Sequence, residues 1–391
     1  MKPLENITIL EFSTMITASF ATMMLAEQGA RAIKVEPIDA GDPMRSLGSQ
    51  KGGMSGLFAN CNRGKESIRI DLKHAAGQKL IKELVDKADV VISNFRPGVM
   101  DSLNLGSDAL RAENPRLIYM AISGFGTKGP LSNAPAYDPI IQAHAGFTAS
   151  QGKGAPEFIR NLMCDKITAY TACQAVTAAL LHRERTGEGQ HIDLSMLDAG
   201  LFFIFPDGFM NHTLLDDDID LQPLLGDLLY ELTVTKDGGL TISAATDQQR
   251  AGLLKAIDKE ELLADERFNS LPNLIANYEE FSRLLADRFL EMTTDEALAR
   301  LLENDVPCAR CHTHDEVLSQ PQIEANETLK DIEHPIAGEM RIVRSPAMFG
   351  GTRLPVARPS PGHGEQTREV LSEIGIDAEA FERLKDDGVV L

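Results

Sequence analysis

The sequence predicts an α/β protein: a large domain built on a parallel sheet, followed by a second, smaller α+β domain. Three observations carry this. The chain has 391 residues, more than one ordinary core requires. Short β-rich runs alternate with helical patterns through its first third, the signature of βα units on a parallel sheet. After about Asp216 that texture gives way to a hairpin signal and charged helical segments.

In order, strands are expected at Ile7–Phe12, Ala32–Glu36, Val90–Ser93 and Leu117–Ser123, with helices at Phe20–Gln28, Ala75–Lys87 and Ser107–Glu113 between them. Pro37 to about Glu66 reads as one long Gly-rich loop, and long loops in compact domains are more often functional than idle. A nearly uncharged helix from Lys166 to about Arg185 and a strand at His191–Leu197 continue the layered pattern. "LLYELTVTKDGGLTISAA" then gives two strands around a Lys236-Asp237-Gly238-Gly239 turn. The tail from Pro335 carries Pro and Gly before a final helix near Thr367–Glu373. The expected boundaries are 1–224 for the first part of the large domain, 225–325 for the small domain, and 326–391 for the C-terminal return to the large domain.

Composition narrows the function. A net charge of −20 repels phosphate polymers, so nucleic acid is not an expected partner. Any anionic ligand would need a local basic pocket. Five scattered cysteines form no disulfide framework and suit a reducing, cytoplasmic location. Glu5 and Glu11 interrupt the layout of a signal peptide, and no run is long and apolar enough to suggest a membrane span.

Among the motifs, Gly124-Phe-Gly126-Thr-Lys-Gly129 has dinucleotide glycine spacing, but Pro130 and turn sequence follow it where a helix N-terminus is required. It reads as a plain turn. "CARCHTH" (308–314) offers Cys308, Cys311, His312 and His314 within seven residues, a cramped zinc set. The simpler reading is a strand after Pro307 with buried thiols, so no metal is expected. Two basic clusters, "NRGKESIRIDLK" (62–73) and "NFRPG" (94–98), put Arg63, Lys65, Arg69, Lys73 and Arg96 near the ligand edge of the sheet. Such groups suit a phosphate-bearing ligand. Asp165, just ahead of its apolar helix, reads on pattern alone as an N-cap.

Taken together, "GDPMR" (41–45), "NRGKESIRIDLK", "SNFRPGVM", "NPRLIYMAISGFGTKGP", "AYDPIIQAHAG", "RTGEGQHIDLSMLDA", "VPCARCHTHDEVLSQPQI" and "GHGEQTREVLSEIG" stand in the order found in the class III coenzyme A transferases. The chain resembles that family over nearly its whole length. The family includes the carnitine and bile-acid CoA transferases, formyl-CoA transferase and the α-methylacyl-CoA racemases. The resemblance implies a Rossmann-like large domain made from both chain ends, a small domain between them, and an interlocked homodimer.

It also implies that Asp165 is a nucleophile, working through an aspartyl anhydride and an aspartyl-CoA thioester between an acyl-CoA donor and a small carboxylic acid acceptor. An ordinary ionised carboxylate would suffice for that attack. For coenzyme A as co-substrate, the carry-over points to Ile70, Asp71, Leu72 and Lys73, to Asn94, Phe95 and Arg96, and to Tyr137 and Asp138. The chain departs from the family at Ser102, where several members have a basic residue, and at Ala18-Ser19 in place of Gly-Pro.

Two other readings stand beside transfer. A racemase needs two bases facing the α-carbon, and its members have His where this chain has Tyr137. His144 could substitute only if the backbone turned it inward. A non-catalytic acyl-CoA-binding protein would keep the fold without turnover. Oxalate chemistry is not expected, because "LQPLLGDLL" lacks the glycine-rich run of formyl-CoA transferases.

Overall fold

The structure, a computed structural model, describes residues 2–152, 154–356 and 358–391. It divides into two compact units, Met1–Pro206 with Glu324–Leu391, and Asp207–Ile323. The smaller unit thus begins before the expected residue 225, because residues 207–232 add no strand to the large sheet.

The larger unit is built on six parallel strands: β1 (Thr8–Phe12), β2 (Arg31–Glu36), β3 (Lys65–Arg69), β4 (Val90–Ser93), β5 (Ile118–Ser123) and β6 (His191–Ser195). Their spatial order is β3-β2-β1-β4-β5-β6, the doubly wound order whose direction reverses between β1 and β4. Both faces are covered, as a parallel sheet requires. On one face α1 (Thr17–Glu27) meets the long helix Met163–Thr186 through small residues: Ala18 and Ala21 share a core with Ala169, Ala172 and Ala179. On the other, Leu80, Ile81 and Leu84 of the helix Ala75–Val85 pack with Val370, Leu371 and Phe381 from the C-terminal return.

Strand β3 was not expected. The segment read as a long loop running into a ligand-facing basic cluster contains the helix Gly56–Asn62 and this edge strand, and its cations turn inward. Lys65 and Lys34 are fully buried and share Glu11: Lys65 Nζ lies 2.6 Å from Glu11 Oε2, and Lys34 Nζ lies 2.8 Å from Oε1. Lys34 Nζ also sits 2.9 Å from Asp42 Oδ2, while Glu36 accepts from Arg45 at 2.6 Å and from Ser67 Oγ at 2.6 Å. Three acids and three bases therefore neutralise one another inside the sheet edge. Arg63 pairs with Glu27 at 2.5 Å, and Arg69 donates to the Ile38 carbonyl. These cations hold the fold together, so the expectation that Arg63, Lys65 and Arg69 meet a phosphate is corrected. A charge pattern in sequence does not show whether partners across the sheet neutralise it.

In the smaller unit, Thr233–Val234 and Gly239–Ile242 form the hairpin read from the Lys236–Gly239 turn, and Cys308–Arg310 adds a third antiparallel strand. "CARCHTH" is therefore strand sequence at its start, with Cys308 half-buried and Cys311 exposed rather than both buried. Among the described residues, no three His, Cys, Asp or Glu side chains come together as a metal site. No helix among them is long and apolar enough to cross a membrane.

Candidate active site

The reversal of strand order sends the connections after β1 and β4 in opposite directions and opens a crevice at their carboxyl ends, the usual ligand position in such sheets. A cavity of about 390 Å³ lies there, lined among others by Met15, Asn94, Phe95, Arg96, Tyr137 and Asp165. Residues separated by more than 120 positions in sequence thus meet at one place.

Asp165 is the third residue of the helix Met163–Thr186, half-buried at the cavity. It is not the cap. The N-cap position is Leu162, which makes no side-chain capping bond. That service comes from Asp138, the first residue of the helix Asp138–His144: its Oδ2 accepts the Asp165 backbone N–H at 3.0 Å. Asp138 Oδ1 accepts from Gln142 Nε2 at 2.6 Å. Gln142 in turn donates to the Ile159 and Asn161 carbonyls, at 3.1 and 3.0 Å. This chain of bonds fixes the approach to the helix and leaves the Asp165 carboxyl free of capping.

The environment changes that carboxyl. Burial, and then the negative charge of Asp138, push it up to about 7, with Lys166 opposing. The expectation of an ordinary, fully ionised carboxylate is corrected: near neutrality Asp165 is poised between its two forms. A more basic carboxylate is a stronger nucleophile once ionised, and less of its reactivity is lost to hydration.

The other expected positions divide. Phe95 and Arg96 line the cavity and also an adjoining one of about 260 Å³, and Arg96 is exposed, able to meet an anion. Tyr137 lines the main cavity and is 65 % exposed. Asn94 lines it too, but its amide is spent internally. Oδ1 accepts the Thr14 N–H at 3.1 Å, and Nδ2 donates to Thr14 O at 2.7 Å and Thr17 Oγ1 at 2.9 Å.

Asp138 is buried, 2 % exposed, and engaged as described, so it touches Asp165 rather than a ligand surface. Ile70 to Lys73 line neither cavity. Ile70 is a core residue bridged to Val390, Asp71 receives the Lys73 N–H at 2.9 Å, and only Lys73 of the four is exposed.

His144 is exposed with its ring against Phe125, 5.2 Å between centroids, and does not line the Asp165 cavity. Gly124 holds the wall in place: a Cβ there would meet Ala136 Cβ at 2.2 Å, so only glycine lets the segment carrying Tyr137 close on the strand end. Met15 was missed as a cavity-lining residue, and so was the part of Asp42, which accepts the Met15 N–H from outside the cavity. Asp42 ahead of Pro43 did carry the Asx-Pro signal of a helical turn, whereas nothing in the sequence marks Met15.

Comparison with known proteins gives the family and the fold. The family model described as CoA-transferase family III matches residues 4–367. Succinate–glutarate CoA-transferase of Agrobacterium fabrum is 32% identical, over 95% of this chain and 96% of that protein. Succinyl-CoA:glutarate CoA-transferase of Mus musculus is 31% identical, over 100% of this chain and 91% of its own. The crystal structure of a CaiB/BaiF family protein from Brucella suis superposes with a TM-score of 0.82 at 29% identity, covering 95% of this chain and 99% of that one. With the parallel sheet, the crevice and the motif order all in agreement, the chain belongs to CoA-transferase family III and is a CoA transferase.

Proposed function

We propose that the protein moves coenzyme A from an acyl-CoA donor to a small carboxylic acid, with Asp165 as covalent nucleophile. The observation that carries this is a half-buried carboxyl, raised to about 7, in a crevice whose wall, among the described residues, holds no second carboxylate and no histidine. Asp165 carboxylate attacks the thioester carbonyl, the C–S bond breaks, and CoA thiolate leaves an aspartyl–acyl anhydride. The thiolate then attacks the aspartyl carbonyl, releasing the donor acid and leaving aspartyl-CoA thioester. The acceptor carboxylate attacks that thioester, freeing the thiolate and forming a second anhydride. Thiolate attack on its acyl carbonyl yields the new acyl-CoA and regenerates Asp165. A racemase reading would need a partner base, and the exposed Tyr137 and outward His144 do not supply one.

For coenzyme A, Arg96 at the cavity and Lys73 on the turn after β3 are the exposed cations suited to its phosphates. Phe95, Asn94, Tyr137 and the Ile70–Leu72 backbone complete the reading, with Asp138 supporting Asp165 from behind. Relatives that use succinyl-CoA and glutarate set the first probes. Succinyl-CoA mixed with glutarate and other carboxylates should give new CoA esters by mass spectrometry. Hydroxylamine added with donor should convert the Asp165 peptide to its hydroxamate. A turnover-competent enzyme whose Asp165 peptide stays unmodified would sink the covalent mechanism, and α-deuteration from heavy water without transfer would favour the racemase.

A homodimer fits the same reading. The helix Met196–Gly208 leaves Phe202 83 % and Phe203 55 % exposed, beside Leu201 at 37 %. Such a run of large apolar groups is unusual on a monomer's surface. Sedimentation should give twice the 42.6 kDa chain mass, and a monomer at micromolar concentration would contradict the dimer.

A further inference from the structure

The connection from β1 to α1 holds a feature the transfer steps do not use. Met15 lines the Asp165 cavity with φ 60, left-handed backbone that a side chain bearing Cβ disfavours by roughly tenfold. Such a conformation persists only where its surroundings over-determine it, and it concentrates at functional sites.

Here the loop is tied from two sides. Asn94, after β4, brackets Thr14 and Thr17 through the three bonds given above. Asp42 arrives from the long β2–β3 connection. Its Oδ1 accepts the Met15 N–H at 3.2 Å and the Met44 N–H at 2.9 Å. Asp42 is only 1 % exposed, and its Oδ2 rests against Lys34 Nζ. Lys34 Nζ also donates to the Ser13 carbonyl at 3.1 Å. Residues 13, 14 and 15 are thus each bound to a polar side chain anchored elsewhere in the fold. A turn of Met15 into the ordinary β or α region would redirect Ile16 and Thr17, and with them the start of α1 and the cavity wall.

We infer that Asp42 is a positioning residue for the transfer reaction, acting through the left-handed backbone of Met15 to hold the wall of the Asp165 cavity. It touches no substrate. The inference rests on the Asp165 cavity being the reaction site. Its charge, balanced by Lys34, makes it a stronger acceptor for the Met15 N–H than a neutral amide would be.

The Met15 series tests this without disturbing Asp42. Glycine enters the left-handed region freely, alanine at some cost, and a β-branched residue hardly at all. With succinyl-CoA and an acceptor the wild type uses, kcat should fall in the order Met15→Gly, Met15→Ala, Met15→Val. Glycine should exceed valine by roughly tenfold or more, with KM for the CoA ester within about threefold across the series. Equal kcat for the glycine and valine variants would overturn the proposal.

Asp42→Asn should lower kcat about tenfold in the wild-type background and clearly less in the Met15→Gly background, where the loop no longer needs forcing. Equal losses in both would place Asp42's role in the Lys34 cluster alone and reject the inference. If Asp42→Asn fails to fold, the Met15 series decides. Hydrogen exchange over residues 12–20 provides a readout free of turnover, with Asp42→Asn expected to speed exchange at Met15 about tenfold or more. Unchanged exchange would overturn the loop role. Absence of transfer in wild type would instead reject the transferase reading and leave the exchange result to judge the loop.

Discussion

Asp165→Asn should abolish CoA transfer, with kcat falling by at least ~10³, because in the proposed mechanism the amide cannot form the anhydride that splits the reaction into easier steps. The same change should stabilise the fold at alkaline pH. In the folded protein the Asp165 carboxyl is raised from 3.8 to about 7, so between those values the folded state holds a proton the unfolded chain has released. Stability tied to this group is therefore fully present below about pH 3.8 and is lost as pH rises through about 7. Removing the charge should recover ~1–3 kcal/mol at pH 8, less than the full shift implies because the group is partly open to solvent. Urea unfolding of wild type and variant at pH 5 and pH 8 measures this, and an equal difference at both pH values would contradict it.

The rate should carry the same signature. Because the proposed attack needs ionised Asp165, kcat/KM should rise with pH through about 7, the value in the free protein. Asp138→Asn removes the nearby negative charge, and should move that rise ~0.5–1 unit toward acid. A pH profile left unmoved by Asp138→Asn would mean that burial alone sets the Asp165 value.

Glu11→Ala should cost ~3–5 kcal/mol, because two fully buried ammoniums, Lys34 and Lys65, would lose the carboxylate they share. Burial works against ionising Glu11, yet the two lysines outweigh it and hold its carboxyl down to about 2. The stability it confers is present above its unfolded value of 4.5 and disappears as pH falls from there through about 2. Wild type should therefore lose stability steeply over that window, and Glu11→Ala should show a flatter acid limb. Burial also lowers Lys65 to about 8, whereas Lys34, facing Glu11, Asp42 and Glu36, is held above its usual range. A loss under ~1 kcal/mol for Glu11→Ala by chemical denaturation would show that water enters the cluster and replaces the missing oxygens.

The regular elements were legible because the signal lies within each element. Val90–Ser93 and His191–Ser195 are apolar or alternating runs bounded by turn residues, and the long helix at 163–186 ends at Gly187 with φ 83, as its Thr-Gly sequence suggests. Strand β3 was not legible, since "KESIR" carries three charges and becomes a buried strand only through Glu11, Arg31 and Glu36 on neighbouring segments. Asp165 could be picked out through the family's motif order, but its pattern alone described a cap. The cap turned out to be Asp138, 27 residues away in sequence.

The sequence by itself determined the layered α/β architecture and the family, and pointed to Asp165 as the acid to test, because periodicity, turn residues and motif order are properties of contiguous segments. Tertiary structure alone decided which charges face inward, which carboxyl caps the helix, and that Asp165 is poised near neutrality. Each depends on burial and on partners that folding brings together from separate segments, Glu11 with Lys34 and Lys65 across neighbouring strands and Asp138 with Asp165 across 27 residues, and no local pattern records such distances.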